Sequence, residues 1–459
     1  MPLVDAKRGD FAAKNGKVLS HRFAAANTAL PWLRGDTKMI EETEKVLRDK
    51  ALRLFVAGIS GSTGEVVPLT DGAPHEIAPA NDQAELHVVV RNLNVGHTFP
   101  GGTNDSNEAW IEVTVTGPGG TYSAGTLDSA GHVKENTRIY NAVMVDRHGE
   151  RITKRNAQEI VAPIYVAVIP PSTSDLSRYS IPLSELGDLA AGATIKVRLL
   201  WRKFNRDYTE FAWSTNREGF AKFDAVPNLP ITEIAATTVT LKREGDHLVA
   251  EARQPAEVKS AALMQDYAIG FLLQQDFKLA RQVIDKVLAL DPNCVNCFRT
   301  RARIQLGEGQ FEAARQSLTE AEKLAPADPL NAWQWAQVLI QEGNYRAAEG
   351  AVDRVLTLFP GDRMAIKLKA RTAYLDGRFQ DSLKSIDQAL TIDPEDVTAH
   401  YYAMLAHRAL GDVEEEQKEE AAYQYHKADE SAQEATLAFR QTEGETNFAS
   451  QKIKVFTLQ

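Results

Sequence analysis

Hydrophobic and polar positions change their rhythm near residue 250. Before it, apolar residues alternate with polar ones in short β-branched and aromatic runs: Glu85–Arg91, Ala109–Val115, Ile164–Ile169 and Thr194–Trp201. Turn clusters at Gly117-Pro-Gly-Gly, Asp128-Ser-Ala-Gly and Asp146-Arg-His-Gly separate these runs. A two-residue period bounded by Gly, Pro and Asp predicts half-buried strands. No helical stretch lies between them to serve as a crossover, so the pattern predicts an antiparallel, immunoglobulin-like β-sandwich over 61–250. Ahead of it, 1–60 reads as a loop-rich lead and one helix. Asp36 can cap that helix, Glu41, Glu42 and Glu44 stand early, and Arg48, Lys50 and Arg53 stand late.

After about residue 260 the period becomes helical, and the chain repeats itself. Pro292, Pro326, Pro360 and Pro394 are spaced by 34, as are Gly309, Gly343, Gly377 and Gly411. Phe277, Phe311, Tyr345 and Phe379 keep the same interval, and so do Ala280, Ala314, Ala348 and Ser382. A small residue lets paired helices approach, and the Pro ends the second helix of each pair. This pattern resembles the tetratricopeptide repeat (TPR) and predicts an all-α solenoid of about five units over 256–430. The units begin at 261, 295, 329, 363 and 397, with the fifth as a capping unit; 431–459 reads as a C-terminal helix and extended tail.

Composition narrows the function. The 459 residues are 43% hydrophobic and 25% charged, which is ordinary globular content. Net charge is −10, against a general nucleic-acid or anionic-membrane binder. No apolar run reaches the roughly 18 residues of a bilayer span. The sequence holds no Walker loop, dinucleotide glycine fingerprint, HExxH or GxSxG, so nothing points to an enzyme, and no metal site is expected. Cys294-Val-Asn-Cys297 lacks the following His of covalent haem attachment and a second pair for zinc. Two readings stay open for it: two thiols packed at a helix start, or a redox-labile disulfide.

A wider resemblance rests on Ser20-His-Arg-Phe-Ala-Ala-Ala-Asn-Thr-Ala-Leu-Pro and Asn94-Val-Gly-His-Thr-Phe-Pro-Gly-Gly. Asp146-Arg-His-Gly-Glu, Arg202-Lys-Phe-Asn-Arg and Lys427-Ala-Asp-Glu-Ser-Ala-Gln-Glu extend it in order. The set resembles the C-terminal portion of multihaem c-type cytochromes that end in TPR units. That resemblance implies electron transfer, haem c as cofactor, a cytochrome redox partner and a periplasmic or other extracytoplasmic location. It also matches His21 and His97 to distal haem ligands, with Gly96, Gly101 and Gly102 easing approach of a porphyrin. The chain itself contains no CxxCH, so it would not hold haem covalently. Met1-Pro2 resembles the residues that follow a haem-attachment motif, which implies a longer parent carrying those motifs and an export signal. The alternative is a haem-free TPR scaffold that mediates protein–protein interaction.

For either reading the repeats offer a binding face. In such arrays the first helices line the concave side. Their fifth and ninth positions carry Arg299 and Arg303, Trp333 and Gln337, Lys367 and Arg371, and Tyr401; Tyr374 and Arg408 come from the twelfth. None of these is acidic, although residues 256–459 carry 23 basic against 31 acidic groups. A cationic, aromatic groove for a protein or acidic peptide segment is expected.

Overall fold

The alternating runs do become strands; those around Glu85, Ala109 and Thr194 share one apolar core, while Ile164 packs in a smaller cluster with Val143, Val145 and Ala162. In the computed structural model the described residues are 3–6, 13–19, 25–49, 51–61, 64–77, 83–216, 223–245, 247–255, 257–427, 436–437, 439–441, 444, 448 and 450–459. The chain divides into two units, 1–270 with 432–459, and 271–431.

In the first unit, β1 (Leu3–Asp5) and β2 (Lys17–Leu19) form a small ribbon, followed by α1 (Ala29–Leu33) and α2 (Thr37–Arg48). Asp36 caps α2 by accepting from the Met39 N–H, as the sequence suggests. The strands are β3 (Leu52–Ser60), β4 (Val66–Pro68), β5 (His75–Ile77), β6 (Gln83–Asn92), β7 (Glu108–Gly117), β8 (Gly120–Ala124), β9 (Ile139–Tyr140) and β10 (Ala142–Val145). Then come β11 (Ala162–Val166), β12 (Ser174–Pro182), β13 (Ala193–Arg202), the helix α3 (Arg206–Thr215), β14 (Thr232–Glu244) and β15 (His247–Ala252). One sheet runs β16-β12-β6-β3-β4, where β16 is Val455–Thr457; the larger runs β5-β15-β14-β13-β7-β8, with β9 also on β7. Leu54, Val56, Leu86 and Val88 of the first and Ile111, Val113, Ile195 and Val197 of the second bury their side chains in a shared core.

Three sequence expectations need correction. The sheets are not wholly antiparallel: β16 pairs parallel with β12, Tyr179 opposite Phe456. The stretch 431–459 is therefore more than a tail, since Phe456 and Leu458 enter the core while Val455 and Thr457 face out. The division at residue 60 also fails physically, because β3 lies between β4 and β6 and Leu47 of α2 joins the same core.

The helical repeat starts with α4 (Ser260–Leu273), whose residues up to Gly270 belong to the first unit. Asp266 accepts from Arg53 at 2.9 Å and lies 3.4 Å from Arg91. Burial pushes the Asp266 carboxyl up, with both guanidinium charges pulling it back. Gly270 is needed here, as a Cβ would stand 2.8 Å from the Leu176 side chain.

The second unit contains α5 (Phe277–Leu290), α6 (Val295–Gly307), α7 (Phe311–Leu324), α8 (Pro329–Gln341) and α9 (Tyr345–Leu358). It continues with α10 (Arg363–Leu375), α11 (Phe379–Ile392), α12 (Val397–Leu410) and α13 (Val413–His426). The small residues that recur every 34 positions, Ala280, Ala314, Ala348 and Ser382, are all fully buried where helices meet. Gly309, Gly343, Gly377 and Gly411 each take φ between +74° and +78°, the left-handed turn that joins the helices of a pair.

Candidate partner-binding face of the repeats

The first helices of units three, four and five begin on the same kind of cap. Asp328 accepts from the Leu330 N–H, Asp362 from Ala365 and Asp396 from Ala399. An Asp before a helix satisfies an unpaired N–H and complements the positive helix end. Two of these carboxylates have a second task. Asp328 is 2.5 Å from Arg299, and Asp396 is 2.7 Å from Lys367. Each cation thus reaches 29 residues forward, from the fifth position of its unit to the cap of the next.

Partial burial opposes ionisation of Asp396, but the Lys367 hydrogen bond, the Ala399 N–H and the Lys367 charge outweigh it and hold the carboxyl below its usual value. Asp328 is lowered in the same way: burial opposes, while Arg299 and the Leu330 N–H prevail. Arg299 also donates to the Asn331 side-chain amide oxygen at 3.1 Å and to that of Asn296. Arg299 and Lys367 are mostly buried and already neutralised, contrary to their expected role as open groove cations.

The ninth position behaves differently. Arg303 and Arg371 are exposed and make no hydrogen bond or ion pair among the described residues. Crowding by protein atoms disfavours the charge on Arg303 and pulls its pKa down. Arg371 lies beside the Tyr402 phenol, which burial pushes up against the opposing Arg371 charge. Trp333 packs on the core between units three and four, and Gln337 is half-buried.

Aromatic side chains gather near the last units. Tyr374 meets Phe379 at 5.5 Å and Tyr402 at 5.6 Å, and Tyr401 meets Tyr402 and Tyr423 at 5.5 and 5.4 Å. Tyr401 keeps more than a third of its surface exposed. Arg408 donates to Glu416 at 2.6 Å, so it too has an internal partner. Tyr402 and Tyr423 were not singled out by sequence; their signal was adjacency to Tyr401 and the excess of Tyr in the last unit.

Of the two expected haem ligands, His21 lies outside the described residues. His97 is exposed in the loop after β6, where Asn92 Nδ2 donates to its carbonyl oxygen at 3.0 Å. Its Nδ1 donates to the Thr98 carbonyl oxygen at 2.7 Å, so that in the neutral ring Nε2 is the acceptor nitrogen. Gly101 serves this imidazole, since a Cβ there would stand 2.5 Å from His97 Cε1. The glycines expected to admit a porphyrin thus include one already used by the histidine itself.

Cys294 and Cys297 are joined in a disulfide, which answers the choice between thiols and disulfide in this structure. A cavity of about 500 Å³ in the first unit has charged walls that pair with neighbours: Glu108 with Arg202, Arg206 with Glu210, His132 with Asp207.

Two family models match the helical half, both described as tetratricopeptide repeat, over residues 305–372 and 367–432. Residues 305–432 are tetratricopeptide repeats. No curated protein matches the chain. Among solved structures, MamA of Desulfovibrio magneticus RS-1 is 14% identical, with a TM-score of 0.33, 41% of this chain and 99% of that chain covered. The MamA RS-1 ArsTM double mutant is 16% identical, with a TM-score of 0.34 and 37% and 96% covered. The TPR match runs from the end of α6 through α13 and leaves the strands of the first unit outside it.

Proposed function

We propose that the TPR region is a protein-interaction scaffold whose first-helix face holds an extended acidic segment of a partner. The observation that carries this reading is the pair Arg303 and Arg371: equivalent positions two units apart, exposed, and without an internal counter-ion among the described residues. Successive packed helices stand roughly 8–10 Å apart, so such cations are spaced for carboxylates along an extended strand of several residues. Gln337 between them adds an amide that can bond the peptide backbone. Tyr401 supplies an aromatic surface with low conformational cost on binding.

The test uses two fluorescently labelled decapeptides, one of Glu and Gly and one of Lys and Gly, titrated with the full chain. The acidic peptide binds and weakens as salt rises, because the contacts are partly screened. Equal binding of both peptides, or a preference for the basic one, contradicts the reading.

One observation favours a second role for the other unit. The His97 tautomer leaves Nε2 as acceptor on an exposed loop, the form an axial haem ligand needs. Haem bound there would supply one-electron chemistry, and His97 would contribute one ligand. Titrating the chain with haem should give a low-spin Soret band that His97→Ala weakens. An unchanged band in the variant removes the role.

A further inference from the structure

Cys294 occupies a slot that every following unit fills with a carboxylate. Its equivalents 34, 68 and 102 residues on are Asp328, Asp362 and Asp396, each a first-helix cap. Cys294 keeps the function: it is the cap of α6, and its Sγ accepts from the Cys297 N–H at 3.2 Å. Cys297 stands where Asn331, Ala365 and Ala399 stand, all buried. Three sister units therefore make the same turn with no disulfide, and the repeat does not require one to fold. A four-residue loop also removes little entropy from the unfolded chain, so the bond is a poor staple.

We propose that Cys294 and Cys297 form a reversible dithiol–disulfide couple in which Cys294 is the sulfur that exchanges with an external dithiol or disulfide. Accessibility sets the direction, because Cys294 is half-buried and Cys297 is fully buried. A thiolate of an external dithiol attacks Cys294 Sγ, the S–S bond breaks, and Cys297 leaves and takes up a proton. The second thiolate of the reagent then attacks the mixed disulfide, forms its own S–S bond and releases Cys294. Two electrons pass from the reagent to the protein, and the reverse sequence oxidises Cys294 and Cys297 again. The released sulfur stays at a helix start, where an anion replaces the neutral cap with one like the carboxylates of the sister units. Reduction consequently leaves α6 capped.

The test equilibrates the native full chain with graded dithiothreitol, then blocks thiols with N-ethylmaleimide and measures mass. Full reduction under native conditions, with unchanged helicity and full reoxidation on removal of the reductant, is expected. A second arm exposes Cys297→Ser and Cys294→Ser to glutathione disulfide; the first should form a mixed disulfide at Cys294, and the second should stay largely unmodified. Cys294→Asp checks the cap, and should melt no lower than the reduced wild type. A bond reduced only in urea, loss of helicity on reduction, or preferential glutathione capture by Cys297 overturns the proposal.

Discussion

Arg299 and Lys367 differ from Arg303 and Arg371 by one helical turn, and that turn separates structural cations from available ones. The fifth-position side chains are held by Asp328 and Asp396, whose carboxylates are already fixed by helix N–H groups. Removing one carboxylate loses both a cap and the partner of a mostly buried cation. Asp328→Ala should lower stability by about 1–2 kcal/mol, the usual range for a lost cap, whereas Arg303→Ala should stay within about 0.5 kcal/mol as a surface change; urea unfolding measures both. Asp328 and Asp396 have folded pKa values below their unfolded ones. Their contribution is therefore present above the ordinary carboxylate pKa of about 4 and is lost as pH falls through the folded value. The difference between wild type and Asp328→Ala should shrink on acidification below about pH 4; a gap that persists at pH 2 would refute the ion-pair assignment. The four cations were legible from the repeat numbering. Their pairing was not, because the acidic partner sits in the next unit, although the 34-residue spacing of Asp328, Asp362 and Asp396 was open to view.

Elements built from local rhythm were readable; those completed by distant pairing were not. The strands around Glu85, Ala109 and Thr194 lie where alternation places them, and α5 to α13 follow the 34-residue period. β16 carries the same alternation in Val455, Phe456, Thr457 and Leu458, yet its partner β12 lies some 275 residues upstream. No local pattern discloses a parallel pairing across that interval. Phe456 packs at 5.4 Å from Tyr179 and at 5.5 Å from Phe448. Phe456→Ala should cost about 3–5 kcal/mol through loss of burial and the cavity left behind, measured by denaturant unfolding of the β-rich unit. A loss below about 1 kcal/mol would mean that β16 is dispensable to that core. The candidate site was legible in the same partial way: its helices and positions followed from the repeat, while the choice between thiols and disulfide and the aromatic neighbours of Tyr401 are decided by three-dimensional contacts.

The whole molecule joins a β-rich unit to a TPR unit, and the acidic excess of the C-terminal part leaves a few cations deliberately placed rather than a basic field. Fifth-position cations tie one unit to the next cap, while Arg303 and Arg371 at the ninth position stay exposed with no ion pair among the described residues. The most direct measurement is the affinity of the acidic decapeptide for two double variants of the full chain, Arg303→Glu/Arg371→Glu and Arg299→Gln/Lys367→Gln. The account predicts that the first abolishes binding while leaving the melting temperature nearly unchanged, and that the second lowers the melting temperature while retaining most of the affinity. Undiminished binding by the ninth-position variant, or loss of binding confined to the fifth-position variant, would contradict it.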